Sequence, residues 1–369
     1  MTTLELTDNG LTIDGKKAGD ELDKFYMASP VGAVSTAVGD TFYGINHRLM
    51  PNPLPINKDH YGLTFFTRPL MNMSTGNLRM VRQMIPLLNT NPLSIPRIIR
   101  LLFDKNVNKL EGLECPFVDN NQAFIPFLTD TLLSMSGWPD IEAPMFNSPE
   151  GLYKESYSFV DGITQNYTTY NIQASFRNVY GDPVTSFFFY WLHYMSYVFQ
   201  GLMVPYPSFL IENEIDYQTR IYRLVLDANR NKVTKIAACG AAFPYAVSIG
   251  ASFNFEAERP LNNSNDQITV PFKCMGAIYQ DDILIDEFNR TVEFFNSEMR
   301  DNERRSKYTK IPTEYLILFN HRGYPRININ TYELEWWINK ETYKSIIASV
   351  KYSPDNSNIK LIPDKQGRN

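Results

Sequence analysis

The sequence is poor in the residues that carry out chemistry. Its 369 residues include 3 cysteines and 4 histidines. Cys115, Cys239 and Cys274 stand far apart, and an odd number cannot all pair within one chain. No CxxC or Cys/His spacing suggests zinc, so buried thiols in a reducing cytoplasm are expected. His47, His60, His193 and His321 fall in no HExxH, HxH or HxxxH pattern, which leaves metal hydrolysis without ligands. A GxSxG elbow, a Walker-type phosphate loop and a GxGxxG after a strand are all missing. No catalytic, cofactor-binding or metal residue is assigned on these grounds.

Long apolar runs are also missing. The nearest approach to a membrane span, Ser186–Leu202, is interrupted by His193, Ser196 and Gln200. The opening residues MTTLELTDNG contain no basic, apolar leader, so neither secretion nor membrane insertion is expected. A net charge of −5 argues against a general nucleic-acid binder, though not against a channel through which nucleic acid slides. Apolar residues at 43% against 20% charged give a globular composition.

Aromatics are plentiful, with 24 Phe and 22 Tyr. They imply either a rich core or an assembly surface, and composition does not separate the two.

Four regions follow from patterning. Residues 1–60, rich in Gly, Pro, Asn and Thr, read as an extended N-terminal arm with short strands in Leu4–Ile13 and Ala33–Phe42. Residues 61–145 read as mainly helical. Leu78, Val81, Ile85 and Leu88 have helical spacing, and Ser94 caps Ile95–Phe103 with Pro96 in its first turn. Gln122–Ser136 is a third helix candidate, and Met71, Met73, Met80 and Met84 fill packing gaps.

Residues 146–297 form the β-rich part. Tyr153–Phe159 and Tyr170–Phe176 alternate around Asp161-Gly162, predicting a long hairpin. Asp182-Pro183 opens a helix on which Val184, Phe187, Phe188, Trp191, Leu192 and Met195 share a face, ended by Gly201. Arg220–Leu226 and Val233–Cys239 flank the turn 227–231. Phe243-Pro244-Tyr245 breaks the chain. Val247–Phe255 then alternates with Ser248, Gly250, Ser252 and Asn254, predicting a strand with one small, polar face. Ile268–Cys274 is a further strand and Asp281–Asn296 a closing helix.

Residues 298–369 comprise a charged linker and a small C-terminal α+β unit. The linker, predicted solvated over 297–310, carries Arg300, Arg304, Arg305, Lys307 and Lys310. The unit has strands at Tyr315–Phe319 and Glu333–Ile338 and a helix at Lys340–Val350. Alternation alone favours an ordinary two-layer α+β domain with a solvent-facing sheet.

The order hairpin, capped helix, strand pair, Phe-Pro break, strand and helix resembles the tail-tube fold of contractile-tailed bacteriophages. Phe187–Tyr197 (FFFYWLHYMSY) looks like the family's aromatic helix, and Tyr217–Asp227 (YQTRIYRLVLD) like the strand after it. Ala242–Tyr245 with Val247-Ser248 resembles the turn into the next strand. Ile268–Phe272 (ITVPF) is similar to the last barrel strand, and 282–289 (DILIDEFN) to the closing segment. Asp59–Asn72 is also similar to segments of large-phage virion proteins.

The resemblance implies an α+β fold: a tail-tube-like antiparallel sheet or barrel with a packed helix, a helical N-terminal region and a small C-terminal unit. It implies a non-enzymatic virion protein assembled in the host cytoplasm. Flanking regions beyond the barrel suggest a ring-forming tube–baseplate junction or tube initiator, with a neck or tail-terminator ring as the alternative. Expected partners are other copies in a ring, hexameric in this family, and tail tube and baseplate proteins. DNA would pass the lumen without specific binding. The interface and packing candidates are Phe187, Trp191, Tyr194, Phe243, Tyr245, Trp336 and Trp337. A competing reading from another class places a polysaccharide hydrolase at Glu333, Glu335, Trp336 and Trp337, and requires two opposed carboxylates in a concave site.

Overall fold

The computed structural model describes residues 61–163, 168–253, 266–319 and 322–351, and three short strands near the N terminus. Those strands, β1 (Leu4–Thr7), β2 (Gly10–Ile13) and β3 (Lys16–Lys17), form an antiparallel meander. The strands expected in Leu4–Ile13 are present, and the one expected at Ala33–Phe42 lies outside the described residues.

The remaining strands are β4 (Tyr61–Phe66), β5 (Leu132–Ser136), β6 (Met145–Asn147), β7 (Ser158–Val160), β8 (Thr169–Arg177), β9 (Ile221–Leu226), β10 (Val233–Pro244), β11 (Gln267–Tyr279), β12 (Tyr308–Lys310), β13 (Tyr324–Ile327) and β14 (Leu334–Asn339). The α-helices are α1 (Thr75–Arg79), α2 (Ile95–Phe103), α3 (Asn106–Glu111), α4 (Pro126–Thr131), α5 (Pro183–Phe199), α6 (Pro207–Glu212), α7 (Ile283–Phe295), α8 (Asp301–Lys307) and α9 (Lys340–Lys351).

An antiparallel six-stranded sheet in the order β4-β9-β10-β11-β8-β5 organises the molecule. Its two edges, β4 and β5, both come from the stretch read as mainly helical. Gly137, at φ 103°, ends β5; a Cβ there would sit 2.2 Å from the Asn171 carbonyl oxygen, so the close approach of β5 to β8 excludes a side chain. A second antiparallel sheet, β12-β14-β13, forms the C-terminal unit with α9, and among the described residues β6 pairs with β7 alone.

The alternation read from the sequence holds where a helix covers the strand. In β8, Ile172, Ala174 and Phe176 are buried while Asn171 and Gln173 are exposed. In β11, Ile268, Val270, Phe272 and Cys274 are buried in register with them. Helix α5 lies over these strands as expected. Phe188 sits 5.5 Å from Phe176 and 5.8 Å from Phe272, and Phe187 lies 4.4 Å from Phe103 of α2. Burying side chains of this size contributes about 1.5–3 kcal/mol each, which outweighs the modest helix propensity of a run of aromatics.

Two cores form on opposite faces of the sheet. One joins β8 and β11 to α5 and to the helical residues 71–128. The other joins β4, β9 and the start of β10 to α7 and the C-terminal sheet. Neighbouring residues serve different cores: Phe66, Ile221 and Cys239 the first, Phe65, Tyr222 and Ala238 the second.

Six expectations are corrected. The hairpin predicted over 153–176 is not formed, because β7 pairs with β6 while β8 pairs with β11 and β5. Alternation fixes which residues share a face and leaves the partner strand open. Gln122–Ser136 is not one helix; Pro126 begins α4, and the chain turns extended at Leu132 to become β5. Residues 76–88 divide into α1 and a 3₁₀ turn, Arg82–Leu88, around an extended Val81, with Ile85 and Met80 exposed.

The strand predicted from Val247 is absent among the described residues. After Tyr245 N donates to Pro271 O, the chain leaves the sheet and forms a 3₁₀ turn at Gly250–Phe253. Residues 297–310 are not a solvated linker: they form a 3₁₀ turn, α8 and β12, and Arg304 is buried. Tyr315–Phe319 is no strand either. A 3₁₀ turn (Thr313–Tyr315) delivers Phe319 to stack on Tyr343 at 5.1 Å.

Candidate assembly interface

The aromatic candidates on α5 act inside the subunit. Phe187, Trp191 and Tyr194 are fully buried. Trp191 Nε1 donates to Tyr217 O at 2.9 Å, tying the helix to the segment entering β9. The Tyr194 hydroxyl donates to Asp216 and accepts from Asn72 N at 3.1 Å. Burial pushes the Asp216 carboxyl up to about 6, with the Tyr194 hydrogen bond acting the other way, and its Oδ1 has no partner. A second buried carboxylate, Asp104, accepts from Tyr206 Oη (2.6 Å), Met73 N (3.0 Å) and Asn106 N (2.8 Å); burial raises its pKa against these hydrogen bonds.

Between them Arg68 reaches five backbone carbonyls, those of Leu101, Leu102, Asp119, Asn120 and Gln122. Two of these lie in the last turn of α2, where carbonyls have no partner within the helix. Burial draws the Arg68 pKa down to about 10. This network fixes residues 68–73 between the sheet and the helices. Sequence reading missed it, since none of its residues sits in a spaced motif and all meet only through the fold.

The other candidates scatter. Phe243 is half-buried, 6.2 Å from Tyr217, and Tyr245 is exposed. Trp336 packs 6.3 Å from Phe65, while Trp337 lies beneath Arg304 at 4.8 Å. The structure does not bring these four together with the α5 aromatics into one site.

Nor does it build the opposed carboxylates of a glycosidase. Lys310 Nζ bridges Glu333 and Glu335, each at 3.1 Å, and Asn328 and Trp337 also donate to Glu335. Burial acts to raise the Glu335 pKa, but these donors outweigh it and hold the carboxyl below its ordinary range. An ionised carboxylate saturated by donors is a poor general acid. The acidic cluster after β11 is likewise committed. Asp282 accepts from Tyr332, Glu287 pairs with Arg220 and Asp286 with Arg290. Among the described residues no group of His, Cys, Asp and Glu is placed to hold a metal ion, and no helix is long and apolar enough to cross a membrane.

Three surface features remain. First, β4 and β5 are the edge strands of the sheet; β5 has no partner on its outer side among the described residues, whereas β4 is partly capped from within the chain, Phe66 O accepting from Ile125 N at 2.9 Å and Thr64 O from Thr129 Oγ1 at 2.8 Å. Unpaired edge backbone is a template for pairing with another chain. Second, the face of β8 and β11 turned away from α5 is largely polar: Asn171, Gln173 and Ser175 lie in register with Lys273, Pro271 and Thr269, and Ser175 Oγ meets Thr269 Oγ1 at 3.1 Å. The predicted polar face therefore exists on these strands, whereas Gly250–Phe253 forms a 3₁₀ turn and Asn254 lies outside the described residues. Third, the stretch 139–163, which contains the β6–β7 ribbon, has no buried residue. It nevertheless presents Leu152 (90% exposed), Tyr153 (87%), Ile163 (83%) and Tyr157 (67%).

Comparison with known proteins gives these features a setting. No curated protein matches the chain. Among solved structures, the tube-terminating cap of the anti-feeding prophage is 14% identical over 43% of this chain and 82% of its own, with a TM-score of 0.26. The sheath–tube complex of the PVC extracellular contractile injection system, in its extended state, is 16% identical over 43% and 82%, with a TM-score of 0.24. Its sheath/tube terminator is 14% identical over 43% and 88%, at 0.25. The family described as "Putative phage tail tube protein" matches residues 15–352, nearly the whole chain, and the chain belongs to that family as a structural protein of the phage tail.

Proposed function

We propose that the protein forms a homo-oligomeric ring, of hexameric symmetry by family resemblance, at the junction between tail tube and baseplate. There it starts the tube or docks it. The observation that carries this reading is the six-stranded sheet, whose β5 edge is unpaired among the described residues and whose β4 edge is capped only toward its C-terminal end, with one largely polar face. Joining β5 of one copy to the uncapped Tyr61–Leu63 end of β4 in the next would extend the sheet from copy to copy and close the sheets into a barrel. The Asn171/Gln173/Ser175/Thr269 face would then line the lumen. Its hydroxyls and amides, with Lys273 and Arg177 as sparse charges, offer DNA no dense cation array to grip.

The junction role, as opposed to the repeated tube subunit, is supported by what is added to the sheet: the helices of 71–131 on one face and the C-terminal sheet against the other. These additions give surfaces for tube and baseplate neighbours. A neck or tail-terminator ring would use the same closure at the opposite end of the tail. The seven aromatic candidates act in this reading as scaffold for the sheet, with Tyr245 at its surface. No catalytic step is assigned.

The test is the native mass of the purified protein, with and without crosslinking, beside negative-stain images. Discrete rings with a central hole support the junction reading. Long stacked tubes favour a repeated tube subunit. A compact monomer at high concentration overturns self-association.

A further inference from the structure

The C-terminal unit holds an arginine cleft that neither the fold nor the proposed ring accounts for. It has a volume of about 320 Å³ and is lined by Arg304, Arg305, Arg326, Asn328, Asn330 and Trp337, with Asp301 and Glu335. Arg304 is held rigidly: its side chain is 3% exposed, it donates to Met299 O at 3.1 Å, and it stacks on Trp337. Arg326 approaches from β13. A single oxygen, Asp301 Oδ1, serves both guanidiniums, at 2.8 Å from Arg304 and 3.2 Å from Arg326. The Nε atoms of both arginines are buried without an acceptor. Glu335 is shared with Lys310, and it and Glu293 lend Arg326 only part of the negative charge the cleft would need. Arg304 and Arg326 thus share one Asp301 oxygen, Arg305 lines the same cleft, and the Asp301 side chain is 71% exposed. Guanidinium forks match carboxylates in planar, two-bond geometry, and the cleft already carries one such group as its resident partner.

The same chain has a counterpart. The exposed stretch 139–163 carries five carboxylates, Asp140, Glu142, Glu150, Glu155 and Asp161, against Lys154 alone. We propose that the acidic arm 139–163 of one copy docks on the arginine cleft of a second copy, a carboxylate entering between Arg305 and Arg326 beside Asp301. This inference rests on the self-association proposed above and names one contact that specifies it. Such a contact is heterologous, joining two different patches, so it propagates around a ring or from one ring to the next. The apolar residues of the arm add buried area, and the charges set register and partner choice.

The experiment is a charge swap in the full chain, read by sedimentation and crosslinking at low and high salt. The cleft variant is Arg305→Glu with Asn330→Asp, and the arm variant is Glu150→Lys with Asp161→Lys. All four positions are exposed, so folding is preserved, which circular dichroism checks. Each variant alone should weaken self-association about tenfold, and the two together should restore it. Association unchanged in either single variant overturns the proposal and leaves the ring reading standing. Loss in the cleft variant that the arm variant does not rescue overturns the arm as occupant; recovery of the cleft's ligand as inorganic phosphate would then reassign it. A wild-type protein that stays monomeric removes the ring reading and this contact together.

Discussion

Two antiparallel ribbons in this molecule have opposite fates. β9–β10, joined by the turn at 227–231, is built into the sheet and covered by α7, with Tyr222 set 5.4 Å from Phe288. β6–β7 shows similar patterning, with Phe146 5.0 Å from Phe159, yet no residue of it is buried. Both expose one side to a neighbour; only one has a helix within the chain to cover it. An apolar stripe therefore specifies that something must cover it, and the fold decides whether the cover comes from the same chain. In an assembly protein the uncovered ribbon is the informative one.

The comparison breaks if the covered ribbon tolerates loss of its cover. Phe288 touches Phe65, Phe124 and Tyr222 at 5.0–5.4 Å. Phe288→Ala should cost about 3–5 kcal/mol, seen as a lower urea midpoint with an unchanged slope. Arg68→Met tests the polar network on the other core. It strands five carbonyls and should cost about 3 kcal/mol in the same measurement.

Asp216 gives a pH test. Its folded pKa of about 6 lies above the ordinary aspartate value, so its contribution is fully present below pH ~4 and is lost as pH rises through ~6. Stability should fall by about 2 kcal/mol across that window relative to Asp216→Asn, in which the slope flattens. Equal slopes for the two proteins would remove Asp216 as the titrating group. The smallest effect belongs to the arm. Leu152→Ser, at 90% exposure, should change monomer stability by less than about 0.5 kcal/mol while weakening self-association. A large drop in stability would mean that the ribbon is covered after all.

Much of the fold was legible in the sequence. α5 was readable from its i, i+3, i+4 aromatic spacing and from Pro183 at its start. β9–β10 was readable from its turn: Asp227 Oδ1 accepts from Asn231 N and Lys232 N, as an aspartate at a turn can. The errors share a cause, which is that tertiary partners override local pattern. Leu132–Ser136 carries helix-compatible residues but completes the edge of β8. Arg304 looks like one charge in a solvated run until Trp337, distant in sequence, provides a surface for it. The candidate interface was legible only as an excess of aromatics. Which of them faced outward depended on the helices, and two of the outward ones, Tyr153 and Tyr157, lay in the predicted hairpin that does not form.

Adjacent residues of β4, β9 and β10 point into different cores, as Phe65 and Phe66, Tyr222 and Ile221, and Ala238 and Cys239 do. Sliding β9 by one position would thrust Tyr222 toward α5 and withdraw Ile221 from it, damaging both cores at once. The strands thus serve as a keyed shaft between the helical end and the C-terminal unit. Among the described residues the two cores are joined by backbone hydrogen bonds and packed rings of these shared strands.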